Sequence, residues 1–111
     1  MIEYMDDFSK FWQEIGVLIK SKPGFQNLII CMEECAELSQ TISKFVRHCN
    51  DALDDVPYNL LNDVDNIIEE MADVLICIAM LQKMLFIPDE DLDFMIRKKM
   101  KRNIQRLKGK I

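Results

Sequence analysis

Glycine and proline are scarce in this chain, three of each in 111 residues, which excludes long disordered linkers and sandwiches dense in turns. Histidine occurs once, at His48, so a di-iron carboxylate bundle, which needs Glu-x-x-His on two helices, is excluded. His48 lies eleven residues beyond Glu37 and reads as a helix-end or surface group. The four cysteines, Cys31, Cys35, Cys49 and Cys77, have neither a zinc-ribbon spacing nor a disulfide framework, so reduced thiols are expected. Cys31 and Cys35, four apart on a helix, read as buried small hydrophobes. No positively charged leader precedes an apolar run, and the most apolar stretch, Val74 to Ile87, is interrupted by Gln82 and Lys83. A cytoplasmic protein without a membrane partner is expected.

Acidic side chains are absent from Arg97 onward. Residues 1 to 96 hold six basic and nineteen acidic side chains, while residues 97 to 111 hold eight basic and none acidic. A body of charge −13 therefore carries a tail of +8. So acidic a body opposes a long polyanion, and no nucleic-acid polymer is expected as partner. Short phosphates, or pairing between the two halves, suit the division.

Half of the residues are apolar, eight are methionine, and Leu, Ile, Glu and Lys are frequent, which points to a single all-α domain over residues 1–111. Apolar spacing predicts helices over Met5 to Lys20, from Gln26 or Asn27 to about His48, from Asn62 or Asp63 to about Phe86, and from about Glu90 to Leu107. Asp51, Asp54, Asp55 and Pro57 make the stretch from Cys49 to Asn62 read as a loop, the segment expected to be mobile. A chain this short with helices this long leaves apolar surface uncovered, so self-association is expected.

Two acidic strings carry the chemistry: Glu33-Glu34-Cys35-Ala36-Glu37 in the second helix and Glu69-Glu70-Met71-Ala72-Asp73 in the third. Glu34 and Glu37 are about 60° apart around their axis, as are Glu70 and Asp73, so each pair forms one patch. A single such string reads as a solvated face; two matched strings embedded in apolar residues do not. Carboxylates converging from packed helices repel one another unless a cation lies between them. Oxygen ligands without histidine or thiolate suit a hard ion, Mg²⁺ or alternatively Mn²⁺, which retains sites for water and phosphate oxygens. No serine or cysteine is paired with a histidine in a recognisable motif, which leaves an activated water as the nucleophile.

These residues resemble the all-α NTP pyrophosphatases of the MazG-like family, whose signature is EExxE followed downstream by ExxD. The resemblance implies a four-helix bundle whose core is completed by dimerisation, as a homodimer or a dimer of dimers. It implies an enzyme that hydrolyses a nucleoside triphosphate to the monophosphate and pyrophosphate, with a role in nucleotide-pool sanitation. It assigns Glu34, Glu37, Glu70 and Asp73 as Mg²⁺ ligands and leaves Glu33 and Glu69 as candidates for orienting or deprotonating water. Lys99, Asn103 and Arg106 resemble the family's phosphate- and sugar-binding residues on the last helix; Lys44 is a further phosphate candidate and Trp12, with Phe8 and Phe11, a candidate for the base pocket. The connection between the two strings is long for the family, with 32 residues between Glu37 and Glu70. Two other readings share these residues: a non-catalytic helical oligomer that binds a nucleotide or protein, and a hydrolase resembling phosphoribosyl-ATP pyrophosphatase.

Overall fold

Asp7 opens the first helix, α1 (Phe8–Lys20), by accepting a hydrogen bond on its carboxylate from the Lys10 backbone N–H at 3.0 Å. The computed structural model describes residues 7–53 and 60–109. Three further helices follow, α2 (Gly24–Leu53), α3 (Leu60–Met84) and α4 (Asp89–Lys108), and the described residues contain no strand. The chain is all-α, as its composition predicts. Two boundaries differ from expectation. Cys49 to Leu53 continue α2, and Leu60 to Asn62 already belong to α3, so the connection is shorter than the aspartates suggested. Asp51 is exposed on the last turns of α2, where a helix tolerates it. The rest of the stretch expected to be mobile, 54–59, and the predicted start of α1 at Met5 lie outside the described residues.

Asn27 joins α1 to α2. Its buried amide donates to the Ile19 carbonyl at 2.9 Å, in the last turn of α1, and to the Lys22 carbonyl at 3.2 Å, in the connection that follows. Ile15 on α1 packs with Ala79 and Met80 on α3, flanked by Phe11, Trp12, Ile19 and Ile76. Lys83 fastens the same joint: its ammonium donates to the Trp12 carbonyl at 2.9 Å and lies 5.0 Å from the centre of the Trp12 ring. Gly16 leaves room for it, since a Cβ there would stand 3.0 Å from Lys83 Nζ.

The largest interface is α2 against α3. As α2 advances from Cys31 to Glu34 to His48, α3 runs back from Cys77 through Asp73 and Glu70 to Asp63, so the two helices are antiparallel. The Cys31 thiol donates weakly to the Cys77 carbonyl at 3.8 Å. Burial, with the Cys31 thiol beside it, pushes the Cys77 thiol up to about 12. All four cysteines are free thiols, but Cys35 is exposed rather than buried with Cys31. Four residues overshoot one helical turn by about 40°, which carries Cys35 away from α3.

At the end of α3, Phe86 adopts a left-handed backbone (φ 55°), Ile87 N–H donates to the Gln82 carbonyl at 2.8 Å, and the buried Gln82 amide donates to Asp89 Oδ1 at 2.8 Å. These contacts aim α4 away from the other helices, with which it makes only marginal contact. No residue of α4 is buried, and its apolar side chains Met95, Ile96, Met100, Ile104 and Leu107 are exposed in the single chain. The radius of gyration is 17.7 Å, where a compact chain of this length reaches about 13 Å. The accessible surface is 9048 Å² against about 6,400 Å² for a compact monomer of this mass. Among the described residues, no helix is long and apolar enough to cross a membrane.

Candidate metal site

Antiparallel packing of α2 on α3 brings the two acidic strings face to face. Glu34, Glu70 and Asp73 each place a carboxylate oxygen within 4.8 Å of the others. All three are half-buried. Glu34 Oε2 and Glu70 Oε2 are shielded from solvent and have no hydrogen-bond partner among the described residues. Both are pure acceptors when ionised, so an orphaned pair in one place is costly without a cation or a proton.

The electrostatics follow from that placement. Desolvation raises the Glu34 carboxyl above its ordinary value, and Glu37, Asp73 and Glu70 raise it further by like-charge repulsion. Glu70 is raised in the same way, first by desolvation and then by Glu37, Asp73 and Glu69. Glu37 is exposed and lies outside the group of three, yet close enough for its charge to act on both Glu34 and Glu70. The residues fit a hard dication. They offer several carboxylate oxygens and no soft ligand, two of the oxygens lack any partner, and every group acting strongly on them is another acid.

The other sequence candidates are placed differently. Glu33 and Glu69 are exposed, one residue from Glu34 and Glu70 along their helices. Lys44 is exposed on α2, two turns past Glu37 and on the same side of the helix. Trp12 is half-buried in the joint between α1 and α3, its ring 6.1 Å from that of Phe8 and beneath the Lys83 ammonium. Lys99, Asn103 and Arg106 are exposed on α4, and a single chain does not bring α4 onto the acidic cluster.

One feature escaped the sequence reading. His48 is half-buried and is not a surface group: its Nδ1 hydrogen-bonds with Asp63 Oδ2 at 2.5 Å, across the interface from α2 to α3. Asp63 is 3% exposed. The signal was the spacing itself, since eleven residues from Glu37 make about three whole turns and seven from Asp63 to Glu70 about two. His48 and Asp63 thus return to the sides of their helices that carry the acids.

Residues 25–110 match the family model described as the MazG nucleotide pyrophosphohydrolase domain. Comparison with curated proteins and with solved structures gives no match.

Proposed function

Since the chain belongs to the MazG nucleotide pyrophosphohydrolase family, whose members are hydrolases acting on nucleotide pyrophosphate bonds, we propose that residues 1–111 form one domain that hydrolyses a nucleoside or deoxynucleoside triphosphate between its α and β phosphates. The products are the monophosphate and pyrophosphate, and the role is nucleotide-pool sanitation. One observation carries this reading: Glu34, Glu70 and Asp73 converge within 4.8 Å with two shielded oxygens left without partners.

Glu34, Glu37, Glu70 and Asp73 would hold Mg²⁺, with Mn²⁺ as a substitute. When bound, that ion supplies charge neutralisation on the phosphates and lowers the pKa of water. The chain's own groups do the rest. Glu33 and Glu69, exposed and adjacent in sequence to Glu34 and Glu70, would orient a water and take its proton. Lys44, on the side of α2 that carries Glu37, meets the outer phosphates. Lys99, Asn103 and Arg106 project from a helix that one chain leaves uncovered, so they reach substrate through association of two copies or of two dimers. Excess surface and the exposed apolar side of α4 support that association. Trp12 is assigned to the base pocket, with the α1–α3 joint holding it.

The test is turnover. Purified protein is incubated with a panel of canonical and modified NTPs and dNTPs, with Mg²⁺ or with chelator, and products are separated by ion exchange. Equal amounts of monophosphate and pyrophosphate in the Mg²⁺ samples alone support the assignment. No turnover across the panel, or turnover indifferent to chelator, sinks it.

A further inference from the structure

The acidic cluster opposes its own assembly. Four carboxylates from two helices repel one another, and desolvation adds to the cost of keeping Glu34 and Glu70 ionised side by side. Left to themselves, α2 and α3 gain by sliding or parting at this level. Something on the same face must hold them in register before an ion arrives.

Two crossings bracket the cluster. On one side Cys31 meets the Cys77 carbonyl, a weak sulfur contact at 3.8 Å without directional strength. On the other, His48 Nδ1 on α2 hydrogen-bonds with Asp63 Oδ2 on α3 at 2.5 Å. The second crossing is of another kind. Asp63 is one of the few buried charged or polar side chains among the described residues, and a carboxylate at 3% exposure is tolerated only when its hydrogen bonding is met. A directional polar contact between helices is also what fixes register, because any slide of one helix along the other strips a buried group of its partner. His48 and Asp63 stand about three turns from Glu37 and about two turns from Glu70, on the sides of α2 and α3 that bear the acids. Between the two levels lie Thr41, Phe45, Asn66 and Ile67, all half-buried.

We propose that His48 and Asp63 are positioning residues that set the register of α2 against α3 and thereby hold Glu34 and Glu37 within shared-ion distance of Glu70 and Asp73. The pair touches neither ion nor substrate. Its effect is on how ready the empty site is for a dication. This inference rests on the metal reading of the acidic site given above, and its test separates the two.

The probe is Mn²⁺, titrated calorimetrically into the nucleotide-free full chain, alongside amide hydrogen exchange without metal. In His48→Ala, Mn²⁺ affinity falls about tenfold or more, as for loss of groups that support metal ligands elsewhere, and exchange quickens across Glu34–Glu37 and Glu70–Asp73. His48→Asn, whose amide nitrogen takes the place of Nδ1, recovers most of that affinity. Lys83→Met, which loosens the α1–α3 joint instead, lowers the melting midpoint yet keeps the unaltered Mn²⁺ affinity. If His48→Ala does not fold, Asp63→Asn substitutes a neutral hydrogen bond at the same shape, and its affinity falls several-fold. Unchanged Mn²⁺ affinity in the folded His48→Ala or Asp63→Asn chain overturns the inference alone, as does an equal loss in Lys83→Met. Failure of the unaltered chain to bind Mn²⁺ overturns the metal reading and this inference together.

Discussion

Glu34 on α2 and Glu70 on α3 each turn one carboxylate oxygen into a solvent-shielded space where neither finds a hydrogen-bond donor among the described residues. Both carry raised pKa values for the same first cause, desolvation, and share Glu37 and Asp73 as repelling neighbours. A folded protein keeps such an arrangement at a cost in stability, which a bound dication would offset.

Removing one charge from the cluster therefore separates function from stability. Glu70→Gln is expected to lower Mg²⁺-dependent turnover by at least the roughly 10- to 100-fold that loss of a group merely supporting a metal ligand costs. The metal-free variant should melt higher than the unaltered chain. Steady-state kinetics and thermal melting in chelator check the two halves; a lower melting midpoint contradicts the repulsion argument.

The pH dependence has a definite sign. Because Glu34 and Glu70 titrate above their ordinary value of 4.5 in the folded chain, folded protein binds more protons than unfolded protein from about that pH up to the folded values. Their contribution to metal-free stability is thus greatest at low pH and is lost as pH rises through the window. Melting scans in chelator from about pH 4.5 to 7.5 should show a steeper decline for the unaltered chain than for Glu34→Gln/Glu70→Gln. Mg²⁺ should flatten the decline, since the ion takes the deprotonated site. Parallel curves for the two proteins would contradict the linkage.

Asn27→Ala should destabilise the fold by about 1–3 kcal/mol, because it removes the amide that satisfies the Ile19 and Lys22 carbonyls. Urea unfolding with an unchanged slope measures it. A loss below about 0.5 kcal/mol means that water replaces the amide at the end of α1.

Association should be visible in solution. Sedimentation equilibrium is expected to give at least twice the 13.1 kDa of the chain, and Met100→Glu/Ile104→Glu on α4 should lower the mass or weaken assembly. A monomer at tens of micromolar would remove the route by which Lys99, Asn103 and Arg106 reach substrate.

Much of this was legible in the residue order. The acidic strings, their spacing and their apolar surroundings indicated one shared site on two helices, and the helical periods located α1 to α4 within a few residues. What escaped was set across the interface rather than along the chain. Asp63 reads locally as a helix-start acid, and only the approach of α2 shows it buried against His48. Cys35 looks equivalent to Cys31 until the 40° overshoot of a four-residue step places one against α3 and the other in solvent. Asp51 suggested a loop because its turn preference is local, whereas α2 continues past it to Leu53. The apolar surface expected to stay uncovered in one chain is found on α4, none of whose residues is buried.

The most direct measurement is the anomalous scattering of crystals grown with Mn²⁺ and without nucleotide. The account predicts one dominant peak enclosed by the carboxylates of Glu34, Glu70 and Asp73, with Glu37 at its open side, and loss of that peak in Glu70→Gln. A map from Mn²⁺-saturated crystals with no peak among these side chains, or with its main peak elsewhere on the chain, would contradict it.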